Sequence, residues 1–85
     1  MPWTERRELA ASLAGPLAAE PKPEAAMSVL HLLAEDTKPE VRKEIADLLI
    51  LVPQDDLTKL AARLSDDTSS FVQRAVTRAL DRRRR

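Results

Sequence analysis

Apolar residues recur along this chain every three or four positions and do not alternate, which is the period of helices buried along one face. Leu9 and Leu13 share a face near the amino end, and Ala26, Val29, Leu30 and Leu33 form a second stripe. Val41, Ile45, Leu48, Leu49 and Val52 form a third; Leu57, Leu60, Ala61 and Leu64 a fourth; Val72, Val76, Ala79 and Leu80 a fifth. Between the stripes lie residues that start and stop helices. Thr4 is placed to cap the first helix, and Gly15 followed by Pro16 predicts its end, with glycine free to take a left-handed cap. Pro16 to Pro23 reads as a connector, with at most a short turn at Leu17 and Ala18, and the second helix opens at Pro23. Asp36, Thr37, Lys38 and Pro39 make a tight turn into the third helix, which Pro53 stops. Asp55 or Asp56 caps the fourth, and Ser65 to Ser70 is a polar turn before the fifth. The pattern predicts five helices with short connections.

The stripes are copies of one another. Shifted by 31 residues, Leu33, Asp36, Thr37, Val41 and Leu49 fall on Leu64, Asp67, Thr68, Val72 and Leu80. Ile45 falls on Val76 and Leu48 on Ala79. A weaker copy at an offset of 32 places Thr4, Leu9, Leu13 and Leu17 on Asp36, Val41, Ile45 and Leu49. One helix pair cannot bury its own apolar face, so successive pairs stack into a continuous core. The expected units are a degenerate first one over 4–20, a repeat over 23–52 and a second over 55–82, in a single domain over 1–85. The expected core is Leu9, Leu13, Val29, Leu30, Leu33, Val41, Ile45, Leu48, Leu49, Leu57, Leu60, Leu64, Val72, Val76 and Leu80.

The run Asp36-Thr37-Lys38-Pro39-Glu40-Val41-Arg42, with Ile45-Ala46 and Leu48-Leu49 after it, resembles a HEAT repeat. It is most similar to the short bacterial HEAT-like type also found in phycobilisome lyases. The resemblance implies an all-α solenoid of about two and a half helix pairs stacked with a right-handed sense. It assigns the turn acid to Asp36, the helix-opening proline to Pro39 and the Val-Arg pair to Val41 and Arg42. The second copy keeps Asp67 and Val72 but carries Ser70 and Gln73 in place of the proline and the arginine. Arg42 is expected to reach a turn carboxylate, Asp36 of its own repeat or Asp66 or Asp67 of the next. In proteins of this type the second helix of each pair lines the concave side. Here that face carries Glu40, Lys43, Asp47 and Ile50, aligned with Phe71, Arg74, Arg78 and Asp81. Ile50 and Phe71 are the apolar members outside their helices' stripes and are candidate contact points; packing on neighbouring turns is the plainer reading of each. Asp47 and Arg78 are expected to pair on the surface.

Composition removes most chemistry. One Gly, one Trp, one Phe and no Tyr are incompatible with an all-β sandwich. With no cysteine there is no disulfide, no thiolate nucleophile and no Cys-ligated zinc. No apolar run reaches the ~20 residues of a membrane span, and the amino end lacks a signal-peptide pattern, so a cytoplasmic setting is expected. His31 is the only histidine and has no acid or nucleophile at a catalytic spacing. The doublets Asp55-Asp56 and Asp66-Asp67 read as helix-capping acids rather than a metal site. Gly15 is the only glycine, so no phosphate loop exists. No cofactor, metal or small-molecule substrate is expected.

Charge is the remaining signal. Residues 1–67 hold eight Lys/Arg against thirteen Asp/Glu, a balance of −5, while residues 68–85 hold six arginines against Asp81, a balance of +5. Arg74, Arg78, Arg82 and Arg85 form a stripe at helical spacing, and Arg83 falls on the extension of the buried stripe. The expected function is a non-catalytic protein-interaction or scaffold module with a protein partner. The expected setting is the N-terminal domain of a larger bacterial regulatory or signalling protein such as a sensor histidine kinase. The alternative is nucleic-acid binding through the arginine stripe, disfavoured by the acidic body. A third reading, an enzyme accessory similar to bilin lyase subunits, follows from the repeat type alone.

Overall fold

The computed structural model describes residues 1–84. Its elements are α1 (Trp3–Ser12), α2 (Ala14–Ala19), α3 (Glu24–Leu33), α4 (Pro39–Asp47), a 3-10 turn (Leu48–Leu51), α5 (Gln54–Ser65) and α6 (Ser70–Arg84). No strand occurs among the described residues. α1 packs against α4 and α4 against α6, while α2 and α6 flank the 3-10 turn from opposite ends of this row. α3 and α5 form the second layer, α3 over α1 and α4, α5 over α6 and the 3-10 turn. The two full pairs are thus α3 with α4 and α5 with α6, and α1 with α2 supplies a half unit. The third and fifth predicted helices, α4 and α6, are neighbours, as stacked repeats require.

Gly15-Pro16 bends the first helix instead of ending it. Gly15 has no positive φ, and α2 runs through both residues. Pro16 has no amide to offer the Ser12 carbonyl four residues back, and its ring crowds that carbonyl. The chain therefore bends at Leu13, whose amide bonds Ala10 in a tightened turn at 3.1 Å while its carbonyl accepts from Leu17 at 3.0 Å. α1 and α2 are one kinked rod, so the helical rods number five. The expected connector shrinks to Glu20–Pro23. Thr4 is not the cap either: α1 begins at Trp3, after Pro2.

At the other end of the first full pair, Pro53 holds Val52 extended, at φ −73° and ψ 135°, and α4 tightens into the 3-10 turn before stopping. α5 starts at Gln54, so Asp55 and Asp56 lie inside its first turn, where they face the positive end of the helix dipole without serving as the cap. Asp66 closes the carboxyl end of α5. Asp36 and Asp67 shape the interhelical turns identically: each carboxylate accepts the amide two residues on, Lys38 and Ser69, at 2.9 Å.

The core is wholly apolar. Leu30, Val41, Ile45, Leu49 and Val72 have no exposure, and no polar or charged residue is buried among the described ones. Two expectations shift. Leu9 is 39% exposed, and Ala10, with none, takes its place on the stripe with Leu13 and Leu17. Leu13 and Leu17 keep the offset of 32 to Ile45 and Leu49, all buried, while Ala10, 31 residues before Val41 and buried like it, replaces Leu9 as the counterpart of Val41. A small side chain there lets α1 approach α4. Val29 and Leu80 are only partly buried and pack on the core's margin.

Candidate functional site

Two features stand where the pairs meet: a ladder of ion pairs at the interhelical turns, and a groove between α4 and α6.

The ladder begins at Arg6. Its Nε and Nη2 donate to Asp36 Oδ1 and Oδ2 at 2.6 and 3.2 Å, and its Nη1 to the Met1 carbonyl at 2.6 Å. Arg42 repeats the arrangement one unit on. Its Nε and Nη2 donate to Asp67 Oδ2 and Oδ1 at 2.7 and 3.0 Å, and its Nη1 to the Asp36 carbonyl at 2.8 Å. Of the carboxylates open to Arg42, geometry selects Asp67, because Asp36 is held by Arg6. Gln73, at the position of Arg42, bonds the Asp67 carbonyl of its own turn but is too short to reach another unit. Hydrogen bonds from Arg6 hold the Asp36 carboxyl below its ordinary range, against the opposing effect of burial. Burial pushes the Asp67 carboxyl up, but the Arg42 bonds and the Ser69 amide outweigh it and leave that group low as well. Both arginines are held in their charged form by the same bonds. Such bidentate pairs fix the register of adjacent units.

The groove lies between α4 and α6, with Lys43, Asp47 and Ile50 on one wall and Arg78 and Arg82 on the other. Ala75 and Ala79, 1% and 5% exposed, form its floor. Asp47 pairs with Lys43 one turn earlier at 2.7 Å, so the expected Asp47–Arg78 bridge does not form. Physically, a partner on the same helix needs less side-chain ordering than one across the groove. Ile50 is 39% exposed and Phe71 37%. Glu40 is half-buried, and Arg74 and Arg78 are exposed. Ile50, Arg78, Lys43 and Asp47 come together; Phe71, Glu40 and Arg74 do not line this groove.

The arginines of the basic end divide by role. Arg83 reaches back from α6 to the carbonyls of Leu49 and Ile50 at 2.8 and 3.0 Å, supplying donors to the end of the 3-10 turn. Arg84 pairs with Asp81. Arg74, Arg78 and Arg82 have no acid partner among the described residues; Arg85 lies outside them.

Tertiary structure also brings together what spacing could not. His31 Nε2 lies 3.1 Å from Asp56 Oδ1, both about two-fifths exposed, tying α3 to α5. The neighbouring Ser28 hydroxyl donates to the Glu24 carbonyl, away from the ring. Arg63 and Glu35 make a second tie between the same helices. Among the described residues no group of acids and histidines is arranged to hold a metal ion. Arg6 is the structural residue that sequence pattern missed; it does not sit at the repeat position of Arg42, so the internal alignment carries no signal for it. Arg83, on the extension of the buried stripe, turns inward as that stripe suggests, but its partners were not legible in the sequence.

A family model for HEAT repeats matches residues 1–81. This chain belongs to the HEAT-repeat family. No curated protein and no solved structure matches it. HEAT repeats are generally protein-interaction or scaffold modules, and the family is typically non-catalytic. Among the described residues no helix is long and apolar enough to cross a membrane. In this HEAT chain the Arg6–Asp36 and Arg42–Asp67 ladder holds the units in register, and the α4–α6 groove is the surface that such fixed stacking leaves shaped and open.

Proposed function

We propose that this HEAT chain is a non-catalytic protein-interaction module of a bacterial regulatory or signalling assembly in the cytoplasm, docking its partner on the α4–α6 face. The observation that carries the reading is the groove itself. Two helices held by the turn ladder present Ile50 and unpaired arginines to solvent, beside a core with no buried polar residue. The bacterial setting rests on the likeness of Asp36 to Arg42 to short bacterial repeats. A rigid surface binds at low entropic cost, because its side chains and backbone are ordered before the partner arrives. The nucleic-acid reading stays the weaker one, since the arginine row adjoins a body, residues 1–67, whose net charge is −5.

The test is site-specific photo-crosslinking in the native cell, with the reactive group at Ile50 in the groove or, as control, at Lys59 on the opposite layer. One discrete protein adduct from Ile50, absent from Lys59 and reconstituted from purified components, is the expected result. Equal adducts from both positions, adducts to nucleic acid, or none at Ile50 would refute the reading.

A further inference from the structure

We propose that the α4–α6 groove is an acidic-peptide site, taking a partner segment that carries carboxylates at helical spacing beside one apolar side chain. The proposal rests on the protein-interaction reading and adds the chemistry of the partner. Its basis is a contrast within this molecule. Every other described arginine has a partner: Arg6 has Asp36, Arg42 has Asp67, Arg63 has Glu35, Arg84 has Asp81. Arg83 has two carbonyls, and Arg7 lies over the Trp3 ring at 5.6 Å. Arg74, Arg78 and Arg82 alone are left, and they stand at successive i, i+4 positions of one helix. Like charges at that spacing repel one another and cost stability. An anionic segment laid along the row removes that repulsion.

The dimensions suit a peptide. Arg78 and Arg82, the two that line the groove, are separated by a rise of about 6 Å, the spacing of carboxylates four residues apart on a facing helix, and Arg74 stands one turn before them, outside it. Ala75 and Ala79 are buried where α6 packs on α4, so the charged side chains and Ile50 form the accessible surface of the groove. On the far wall the Lys43–Asp47 pair is neutral as a unit and leaves the arginines uncompensated. Ile50 marks the end of the groove, and Arg83 fixes its carbonyl, so one apolar anchor stands ordered beside the charges. A short acidic segment reads only this groove. A nucleic acid runs on over the body of residues 1–67, whose net charge of −5 repels it.

The probe is a labelled helix-forming peptide of about 15 residues with Glu at i, i+4 and i+8 and one Leu on the same face. Its Gln counterpart is the control. Anisotropy is read with the full 85-residue protein at about 50 and 200 mM salt. Saturable binding of the Glu peptide, weaker at the higher salt and absent for the Gln peptide, is expected. Arg78→Glu and Arg82→Glu each weaken it about five- to tenfold, Ile50→Ser a few-fold, and Lys59→Glu leaves it unchanged. The helical circular dichroism of each variant must match the parent.

Equal binding of the Glu and Gln peptides, or indifference to both arginine reversals, overturns the proposal. So does tighter binding of duplex DNA than of the Glu peptide at equal salt, or a protein dimer that Arg78→Glu dissolves, which would give the groove to a second copy. A reconstituted partner crosslinked through Ile50 but bound without an acidic segment overturns the acidic-peptide site alone and leaves the protein-interaction reading standing. Failure of the crosslinking with the peptide still bound does the reverse.

Discussion

Removing the Asp67 carboxylate isolates what the turn ladder contributes. Two guanidinium nitrogens of Arg42 donate to Asp67 at 2.7 and 3.0 Å, and the Ser69 amide donates to the same group at 2.9 Å. The side chains of Arg42 and Asp67 are 15% and 7% exposed, so both charges are largely out of water. Breaking one side of a buried pair costs about 3–5 kcal/mol, because the other charge is left without compensation. Here Arg42 keeps its bond to the Asp36 carbonyl at 2.8 Å and some contact with solvent. Asp67→Ala is therefore expected to cost about 2–4 kcal/mol. A chain of 85 residues has about 4–13 kcal/mol in all. The corresponding fall in Tm is about 10–30 °C. Urea and thermal unfolding followed by circular dichroism would measure the loss in Asp67→Ala, Arg42→Ala and the double variant. A coupling of about 1–3 kcal/mol is expected from that cycle. Single losses that add within about 0.5 kcal/mol would show that the two side chains act independently and would refute the reasoning.

The acid limit of stability has the same origin. Asp36 and Asp67 titrate below their ordinary range when folded, so the stability they contribute is fully present above the unfolded carboxylate value of about 4 and is lost as pH falls through their lower folded values. Tm should stay level above about pH 5 and drop below pH 4, less steeply in Arg42→Ala; an equally steep drop in that variant would contradict this. Ile45→Ala, at a site with no exposure, should cost about 2–5 kcal/mol in urea unfolding; a loss under about 1 kcal/mol would mean that the stack collapses around it. Arg83→Ala uncovers the Leu49 and Ile50 carbonyls and should cost about 1 kcal/mol, with faster amide exchange confined to the 3-10 turn; exchange unchanged there would deny Arg83 its role.

The sequence by itself determined the helices, their pairing and the repeat. Those follow from local chemistry: apolar period, Asp36 and Asp67 folding onto nearby amides, Pro39 and Pro53 removing donors at fixed places. Two readings with the same local signal went the other way. Gly15-Pro16 carries the marks of a stop, yet a kinked continuation buries Leu17 against the next unit, and that gain exists only when the unit is present. Leu9 and Ala10 are adjacent, and hydrophobicity alone favours Leu9 for the core; the close approach of α1 to α4 chooses the smaller one. Only tertiary structure decided which charges meet. Arg6 finds Asp36 across 30 residues and Arg83 the Ile50 carbonyl across 33, neither at a repeated position, while Asp47 turns to Lys43 on its own helix. The Lys43–Asp47 pair is local in spacing, but the pairings of Arg6 and Arg83 depend on where rigid helices place their ends, and that placement is set by the packed core.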